Sequence, residues 1–267
     1  MKKIQIMGVL NITPDSFFDG GGQSFKKNPY NIYSRLDNEL LEADIIDVGA
    51  ESSKPGADSI CYKEEIDRLS ILKDKVSLLK NKVFSIDTYK YDVAKYALEN
   101  GYSMINDIYA GRYDNRVFEL SADWNAPIIL MHMKGTPANM QEDTKYESII
   151  DNIMSFFEDR IVEAKSCGVC DSNIILDPGI GFGKKTEDNY LIIKNISKFK
   201  KLGFKVLIGL SRKSFLDIDH KILPNDRLEE TIAMNSLSAI NGADILRVHD
   251  VGPCIKALKV IESYIDC

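Results

Sequence analysis

The sequence of 267 residues lacks any long apolar run. A membrane-spanning helix needs about 18 or more consecutive apolar residues, whereas apolar stretches such as 127–131 have only the length of a strand. The amino-terminal apolar segment is interrupted by Gln5 and ends at Asn11, so it predicts a strand rather than a signal peptide. We therefore expect a cytoplasmic protein that does not bind membranes.

Positive charge is also scarce. The chain has 34 lysine and arginine residues against 40 aspartate and glutamate residues, a net charge of −6. Proteins that bind nucleic acids need a broad basic field, so we expect no nucleic-acid partner. An anionic ligand must instead meet a local group of basic side chains.

Cysteine is rare. Five cysteines, an odd number in a chain of this length, are typical of free thiols rather than of a disulfide framework. Cys167 and Cys170 form the only close pair, and no second pair completes the ligand set of a structural zinc site.

No linker rich in proline, glycine or serine divides the chain, so we expect a single domain spanning residues 1–267. Eight β-rich runs occur, each followed by a segment of helical length. Their nearly continuous apolar cores, such as 45–48, are typical of parallel strands covered on both faces. The predicted strands are 4–12, 44–49, 82–88, 104–108, 127–133, 173–179, 205–211 and 244–250. The predicted helices are 30–43, 63–80, 90–100, 115–124, 147–167, 187–202, 227–241 and 253–265. This alternation favours an α/β fold of the (β/α)8 TIM barrel type over a doubly wound sheet.

Nearly every predicted strand ends in polar residues able to do chemistry. A single one could be a turn former, but so many together indicate an active site, because the carboxyl ends of barrel strands meet at one rim. These residues are Asn11, Asp47, Glu51, Asp87, Asn106, Asp107, His132, Asp177, Ser211, Arg212, Lys213, Arg247 and His249.

Three familiar motifs are incomplete in this chain. The segment 178–185 resembles a phosphate-binding Walker loop, but Pro178 and Lys185 replace its first glycine and its final serine or threonine. Its glycines also lack the dinucleotide-binding spacing, and Lys213 stands where a nucleophile elbow requires glycine. Nucleotide hydrolysis, dinucleotide binding and triad hydrolysis therefore have no motif to support them.

A longer series of motifs runs from end to end of the chain. It comprises residues 7–21, 47–56, 85–88, 105–107, 131–133, 176–184, 209–215 and 247–251. In content and order, this series resembles the dihydropteroate synthases of folate biosynthesis. The resemblance implies a TIM barrel, usually a homodimer, that joins 6-hydroxymethyl-7,8-dihydropterin pyrophosphate to p-aminobenzoate with Mg²⁺.

The resemblance also implies roles for individual residues. Pterin would be bound by Asp87, Asn106, Asp177, Lys213 and Arg247, the leaving pyrophosphate by Lys54, Arg247 and His249, and the aminobenzoate pocket would be bordered by Phe182 and Ser211. Ser53 and Met131 are further substrate-binding candidates. Asp87, Lys213, Arg247 and His249 are the catalytic candidates, and Asn11 is the candidate Mg²⁺ ligand. Loops 13–22 and 50–58 would close over the phosphates.

The residue types suit this chemistry by themselves. A pterin edge presents N–H donors and a carbonyl, so a site that binds it needs a carboxylate such as Asp177 and a cation such as Lys213. The guanidinium of Arg247 can lie flat on the ring while its edge binds a phosphate. No covalent nucleophile is needed if pyrophosphate leaves first and the electron-rich dihydropterin stabilises the cationic methylene.

The chain departs from the usual Glu-Ser-Thr-Arg-Pro-Gly pattern of this family at two positions. Ser53 retains a hydroxyl, but Lys54 replaces an arginine and loses bidentate phosphate recognition, so we expect looser pyrophosphate binding. His220 matches no functional position of the family, so we expect it to be a surface histidine.

Two other functions stay open at this point. A methyltransferase acting on methyltetrahydrofolate shares the ring contacts but has no use for phosphate-binding residues. A noncatalytic pterin-binding paralogue is the other alternative, and Lys54 would fit it.

Overall fold

The computed structural model describes residues 3–13, 30–52, 56 and 58–267. Eight parallel strands form a closed barrel in chain order, and the eighth strand pairs with the first. The strands are β1 (Gln5–Asn11), β2 (Ile45–Gly49), β3 (Val83–Asp87), β4 (Met104–Asp107), β5 (Ile128–Met131), β6 (Ile174–Asp177), β7 (Lys205–Ile208) and β8 (Ile245–Val248). The predicted (β/α)8 fold is confirmed, and the domain boundaries 1–267 stay a prediction.

Helices surround the barrel, each between two consecutive strands except for the last. They are α1 (Tyr30–Arg35), α2 (Tyr62–Leu69), α3 (Lys73–Leu78), α4 (Tyr91–Glu99), α5 (Arg116–Asp123), α6 (Ile149–Ser166), α7 (Thr186–Lys194), α8 (Ile196–Lys200), α9 (Leu228–Ile240) and α10 (Val251–Ile265). A π-helical turn, Leu36–Leu40, continues α1. No helix in the described ranges is long and apolar enough to cross a membrane.

Helix α6 shows how the outer layer forms. Ser148 caps its amino end by accepting a hydrogen bond from the Asp151 backbone N–H, which satisfies one of the unpaired donors of the first turn. Its buried positions recur at spacings of three and four along one stripe. They are Ile149, Ile150, Ile153, Phe157, Ile161 and Ala164.

Two predicted helices are interrupted. The segment 63–80 divides into α2 and α3 around a short 3₁₀ turn, Ser70–Leu72. The segment 187–202 divides into α7 and α8 at Asn195, whose side-chain amide donates to the Leu191 carbonyl at 2.8 Å. This local bond competes with continuation of the helix.

The barrel interior changes from apolar to polar along the strands. An apolar cluster fills it near the amino ends of the strands and comprises Met7, Ile45, Met104, Ile129, Ile175, Leu207 and Ile245. Side chains two residues apart on a strand share a face, so Asp47, Asn106, Asp177 and Arg247 occupy the next inward positions toward the carboxyl ends. The polar groups therefore lie above an apolar floor.

Candidate active site

Arg247 joins three strands at the centre of the site. From β8, its Nε donates to Asp47 Oδ2 at 2.7 Å and its Nη2 donates to Asp87 Oδ2 at 2.6 Å. The same Asp47 oxygen accepts from Asn106 Nδ2 at 3.0 Å. We call Asp47, Asp87, Asn106 and Arg247 the Arg247 network. Its pairings extend across β2, β3, β4 and β8.

Burial changes the ionisation of this network. It raises the pKa of Asp87 to about 7, because desolvation together with the nearby Asp47, Glu65 and Asp107 outweighs the attraction of Arg247. Burial alone would lower the pKa of Arg247, but the two carboxylates reverse that effect and raise it. Arg247 is therefore a permanent cation, while Asp87 can exchange a proton near neutral pH.

Asp177, at the end of β6, and Lys213, in the segment that follows β7, form a second group. Lys213 Nζ donates to the Ile180 carbonyl and lies 4.6 Å from the centre of the Phe182 ring. Burial lowers the pKa of Lys213 to about 8, although the Asp177 carboxylate opposes the shift. Burial raises the pKa of Asp177, opposed by Lys213 and by the Gly179 N–H.

Asp177 also has a structural role that the sequence did not predict. Its Oδ1 accepts from the Gly179 backbone N–H at 2.7 Å, so it caps the turn after β6. Gly179 has φ +67°, and a β-carbon there would lie 2.0 Å from the His132 carbonyl oxygen. The Asp177 carboxylate therefore serves both the turn after β6 and the site.

His249 and Ser211 face each other beyond the ends of β7 and β8. Ser211 Oγ lies 3.0 Å from His249 Nδ1 and accepts from the His249 backbone N–H at 3.2 Å. Burial and the neighbouring Arg247 lower the pKa of His249 to about 3. Its imidazole is thus neutral at physiological pH and offers a hydrogen-bonding group rather than a charge.

Asn11 ends β1 beside Gly49, where the absence of a side chain leaves space. A β-carbon on Gly49 would lie 3.6 Å from Asn11 Oδ1 and 3.5 Å from Asp87 Oδ2. An amide oxygen there suits Mg²⁺, which keeps several waters and is otherwise held by substrate phosphates. Across the described part of the chain, no cluster of three or more histidine, cysteine, aspartate or glutamate side chains could hold a metal unaided. The Asn11 amide oxygen is thus a ligand type that fits Mg²⁺, and the metal itself stays a prediction.

Met131 and Phe182 form an apolar wall of the site. Met131 is buried in a small cluster with Tyr89, Ile108, Met133 and Met140, and Phe182 packs against this cluster. A cavity of about 360 Å³ opens beside Asp87, lined by the loops that follow β2 to β5.

Ser53 and Lys54 lie outside the described residues, as does most of the predicted loop 13–22. Glu51 lies two residues before Ser53 and is firmly held. It accepts hydrogen bonds from Tyr89 Oη at 2.6 Å, from the Ile60 backbone N–H at 2.9 Å and from Lys90 Nζ. Lys90 Nζ also contacts buried Glu65 at 2.6 Å.

Two strand-end residues that looked chemical in the sequence do not belong to the site. His132 points away from the barrel axis and packs against Phe156 of α6, with 5.0 Å between ring centres. The alternation of side chains along an extended strand explains this direction, because Met131 and Met133 take the inward positions. Asp107 accepts from the Tyr109 and Gly111 backbone N–H groups at 2.8 and 2.7 Å, so it caps a turn. His220 is exposed, as predicted.

Two buried charged residues gained importance only in the structure. Asp47 was noted as a strand-end group without a role, yet its carboxylate is fully buried within the Arg247 network. Lys184 donates to the His132 and Phe182 carbonyls at 3.2 and 2.9 Å and joins the loops after β5 and β6. The signal available in the sequence for Asp47 was a charged residue at the third position of an otherwise apolar strand.

Comparisons with known proteins agree with this geometry. Residues 7–249 match the model of the pterin binding enzyme family. A dihydropteroate synthase from Synechocystis is 39% identical over 98% of this chain and 90% of its own length.

Two solved structures are similar over nearly the whole chain. A Clostridium difficile dihydropteroate synthase, crystallised in the presence of pteroic acid, has 37% identity and a TM-score of 0.90, covering 98% of this chain and 97% of its own. A Xanthomonas albilineans dihydropteroate synthase with 4-aminobenzoic acid has 34% identity and a TM-score of 0.89, covering 99% and 94%. The chain therefore belongs to the pterin binding enzyme family and, within it, to the dihydropteroate synthases.

Proposed function

We propose that this protein joins 6-hydroxymethyl-7,8-dihydropterin pyrophosphate to p-aminobenzoate, giving 7,8-dihydropteroate and pyrophosphate. The observation that carries the proposal is the convergence of the Arg247 network with Asp177 and Lys213 on one rim of the barrel. Related synthases have been crystallised with pteroic acid and with 4-aminobenzoic acid, which are chemically close to the product and to one substrate.

The pterin ring is bound by groups of matching hydrogen-bond type. Asp177 accepts from the ring N–H and the exocyclic amine, while Lys213 donates to the carbonyl and the neighbouring nitrogen. Asn106 and Asp87 bind the remaining ring nitrogens. Because Asp87 titrates near pH 7, it can meet either a donor or an acceptor on the ring. Met131 supplies an apolar surface for the ring face.

Departure of pyrophosphate requires positive charge beyond Arg247. That guanidinium is already paired with two carboxylates, and His249 is neutral. Lys54 supplies a further cation, and Ser53 and His249 supply hydrogen bonds. A magnesium ion held by Asn11 and the substrate phosphates would neutralise charge on the leaving group. Phe182 and Ser211 border the pocket from which the arylamine attacks the cationic methylene.

We also propose that the protein forms a homodimer. Three large apolar side chains on α7 and α9 are half exposed: Leu191 at 45%, Leu237 at 48% and Ile240 at 46%. Helix α9 packs against both α7 and α10, so these side chains lie on neighbouring helices. Apolar surface of this kind is typical of subunit interfaces. Light scattering coupled to size-exclusion chromatography would give about twice the mass of one chain if the proposal is right, and the mass of one chain if it is wrong.

We expect the enzyme to act in the cytoplasm without nucleic-acid or membrane partners.

One assay separates the proposed function from its two alternatives. Pyrophosphate release is followed with and without p-aminobenzoate, with Mg²⁺ present in both. A synthase forms dihydropteroate and releases equimolar pyrophosphate when both substrates are present. A noncatalytic paralogue binds the pterin without forming product, and a methyltransferase consumes methyltetrahydrofolate instead. Either of these results would overturn the proposal.

A further inference from the structure

Asp47 is buried beneath the site, yet all its observed hydrogen bonds go to site residues. Its relative exposure is 0%. Oδ2 accepts from Arg247 Nε at 2.7 Å and from Asn106 Nδ2 at 3.0 Å, whereas buried Oδ1 has no hydrogen-bond partner among the residues that the structure describes. A buried carboxylate is costly unless its interactions repay its desolvation. The contacts of Asp47 with these two site residues explain why a carboxylate is buried at this position.

The contact with Asp47 fixes how Arg247 is presented. Nε is bound to Asp47 and Nη2 to Asp87, so both the position and the plane of the guanidinium are set by β2 and β3. Within the described part of the chain, Nη1 makes no hydrogen bond and remains available as a donor. A planar cation fixed along one edge can present its face and its remaining edge to a ligand.

The same oxygen also fixes the Asn106 amide. An ionised carboxylate only accepts hydrogen bonds, so the NH2 group of Asn106 must face Asp47, and its carbonyl oxygen is left to accept from a ligand. Without Asp47, the amide could rotate and exchange donor for acceptor. Two recognition groups therefore depend on one carboxylate.

We propose that Asp47 is a positioning residue, which orients Arg247 and Asn106 for the pterin without touching it. This inference rests on the proposed function, since it assigns the pterin to that site. The inference can be tested separately from the proposed function, because pterin binding can be measured without any turnover.

A matched control lies next to Asp47 in the barrel. Ser85 is its register partner on β3 and is also 0% exposed, and its hydroxyl has no hydrogen-bond partner in the described ranges of the chain. Asp47→Asn and Ser85→Ala thus change buried polar groups in the same layer, but only Asp47 contacts Arg247 and Asn106.

The experiment measures the affinity for 6-hydroxymethyl-7,8-dihydropterin by calorimetry and the KM for p-aminobenzoate. For Asp47→Asn we expect pterin affinity to fall roughly 10- to 100-fold, the usual effect of losing charge-assisted bonds that orient a site. The KM for p-aminobenzoate should stay within about twofold, because a positioning effect on the pterin residues leaves the aminobenzoate pocket unchanged. Ser85→Ala should keep both values within about twofold of the original.

A double-mutant cycle with Arg247→Ala tests whether Asp47 acts through its partner. In the Arg247→Ala background, Asp47→Asn should weaken pterin binding much less than it does alone. Unchanged pterin affinity in the single variant, equal losses in both backgrounds, or an Asp47→Asn protein that does not fold would each overturn the inference. Failure of the unaltered protein to form dihydropteroate would contradict the proposed function instead.

Discussion

Two lysines at the rim of the barrel, buried Lys184 and half-buried Lys213, have different roles. Lys213 donates to the Ile180 carbonyl beside Asp177, and Lys184 donates to the carbonyls of His132 and Phe182. Burial lowers the pKa of Lys213 to about 8 and that of Lys184 to about 7. Lys213 belongs to the proposed pterin site, whereas Lys184 holds two loops together.

Substitution separates these roles. Lys213→Ala should lower kcat/KM by the equivalent of about 2–4 kcal/mol of lost transition-state stabilisation. This is the range for removing one preorganised hydrogen-bond donor. Lys184→Met should instead lower the free energy of unfolding by about 1–3 kcal/mol, because two carbonyls lose a donor, and should leave kcat/KM within a few-fold. Steady-state kinetics and urea denaturation of both variants make the comparison. A loss below tenfold in kcat/KM for Lys213→Ala would place this lysine outside the site.

The raised pKa of Asp87 predicts that the stability of the protein depends on pH. Its pKa is about 7 in the folded protein against an ordinary value of 3.8. Between about pH 4 and pH 7 the unfolded chain therefore loses this proton while the folded protein keeps it, so stability falls as pH rises. Relative to Asp87→Asn, the free energy of unfolding of the original protein should fall by about 2–4 kcal/mol across this window. A constant difference between the two proteins in denaturation series at several pH values would contradict the assigned pKa.

At the scale of elements, the strands were predictable because they are continuous apolar runs. Several predicted strands extend two residues too far, as at 132–133 and 178–179. The backbone already turns at the rim there, although the sequence pattern that marked the strand continues. The breaks at Ser70–Leu72 and Asn195 were not predicted, since they depend on local hydrogen bonds that periodicity does not show.

The loop after β2 is anchored by the element that follows β3. Lys90 contacts both Glu51 and Glu65, with only 1% of the Glu65 side chain exposed. Lys90→Met should lower the free energy of unfolding by about 3–5 kcal/mol, because it leaves a buried carboxylate uncompensated. Lys134→Met is the control, since Lys134 pairs with Asp143 on the surface and should cost less than about 1 kcal/mol. Equal costs in urea denaturation would show that the buried contacts do not anchor this segment.

For the whole molecule, the residue types of the site were predictable but their pairings were not. Closure of the barrel brings Arg247 to Asp47, 200 positions earlier in the chain, and no local pattern reports such a contact. The same geometry excludes His132, because the inward or outward direction of its side chain depends on where β5 begins. The barrel thus explains why Asp87, Asn106 and Asp177 lie together at the rim, whereas His132 packs against α6.

Product formation by the original protein and by Asp177→Asn tests most directly whether this site makes 7,8-dihydropteroate. Asparagine can still accept from the Gly179 N–H through its amide oxygen, so the turn after β6 and the fold should persist. Its NH2 group, however, would face the pterin N–H groups, donor against donor. With both substrates and Mg²⁺, the original protein should form 7,8-dihydropteroate and equimolar pyrophosphate, while folded Asp177→Asn should neither bind the pterin measurably nor form product. Absence of product from the original protein, or unchanged pterin binding and turnover in the variant, would contradict the account.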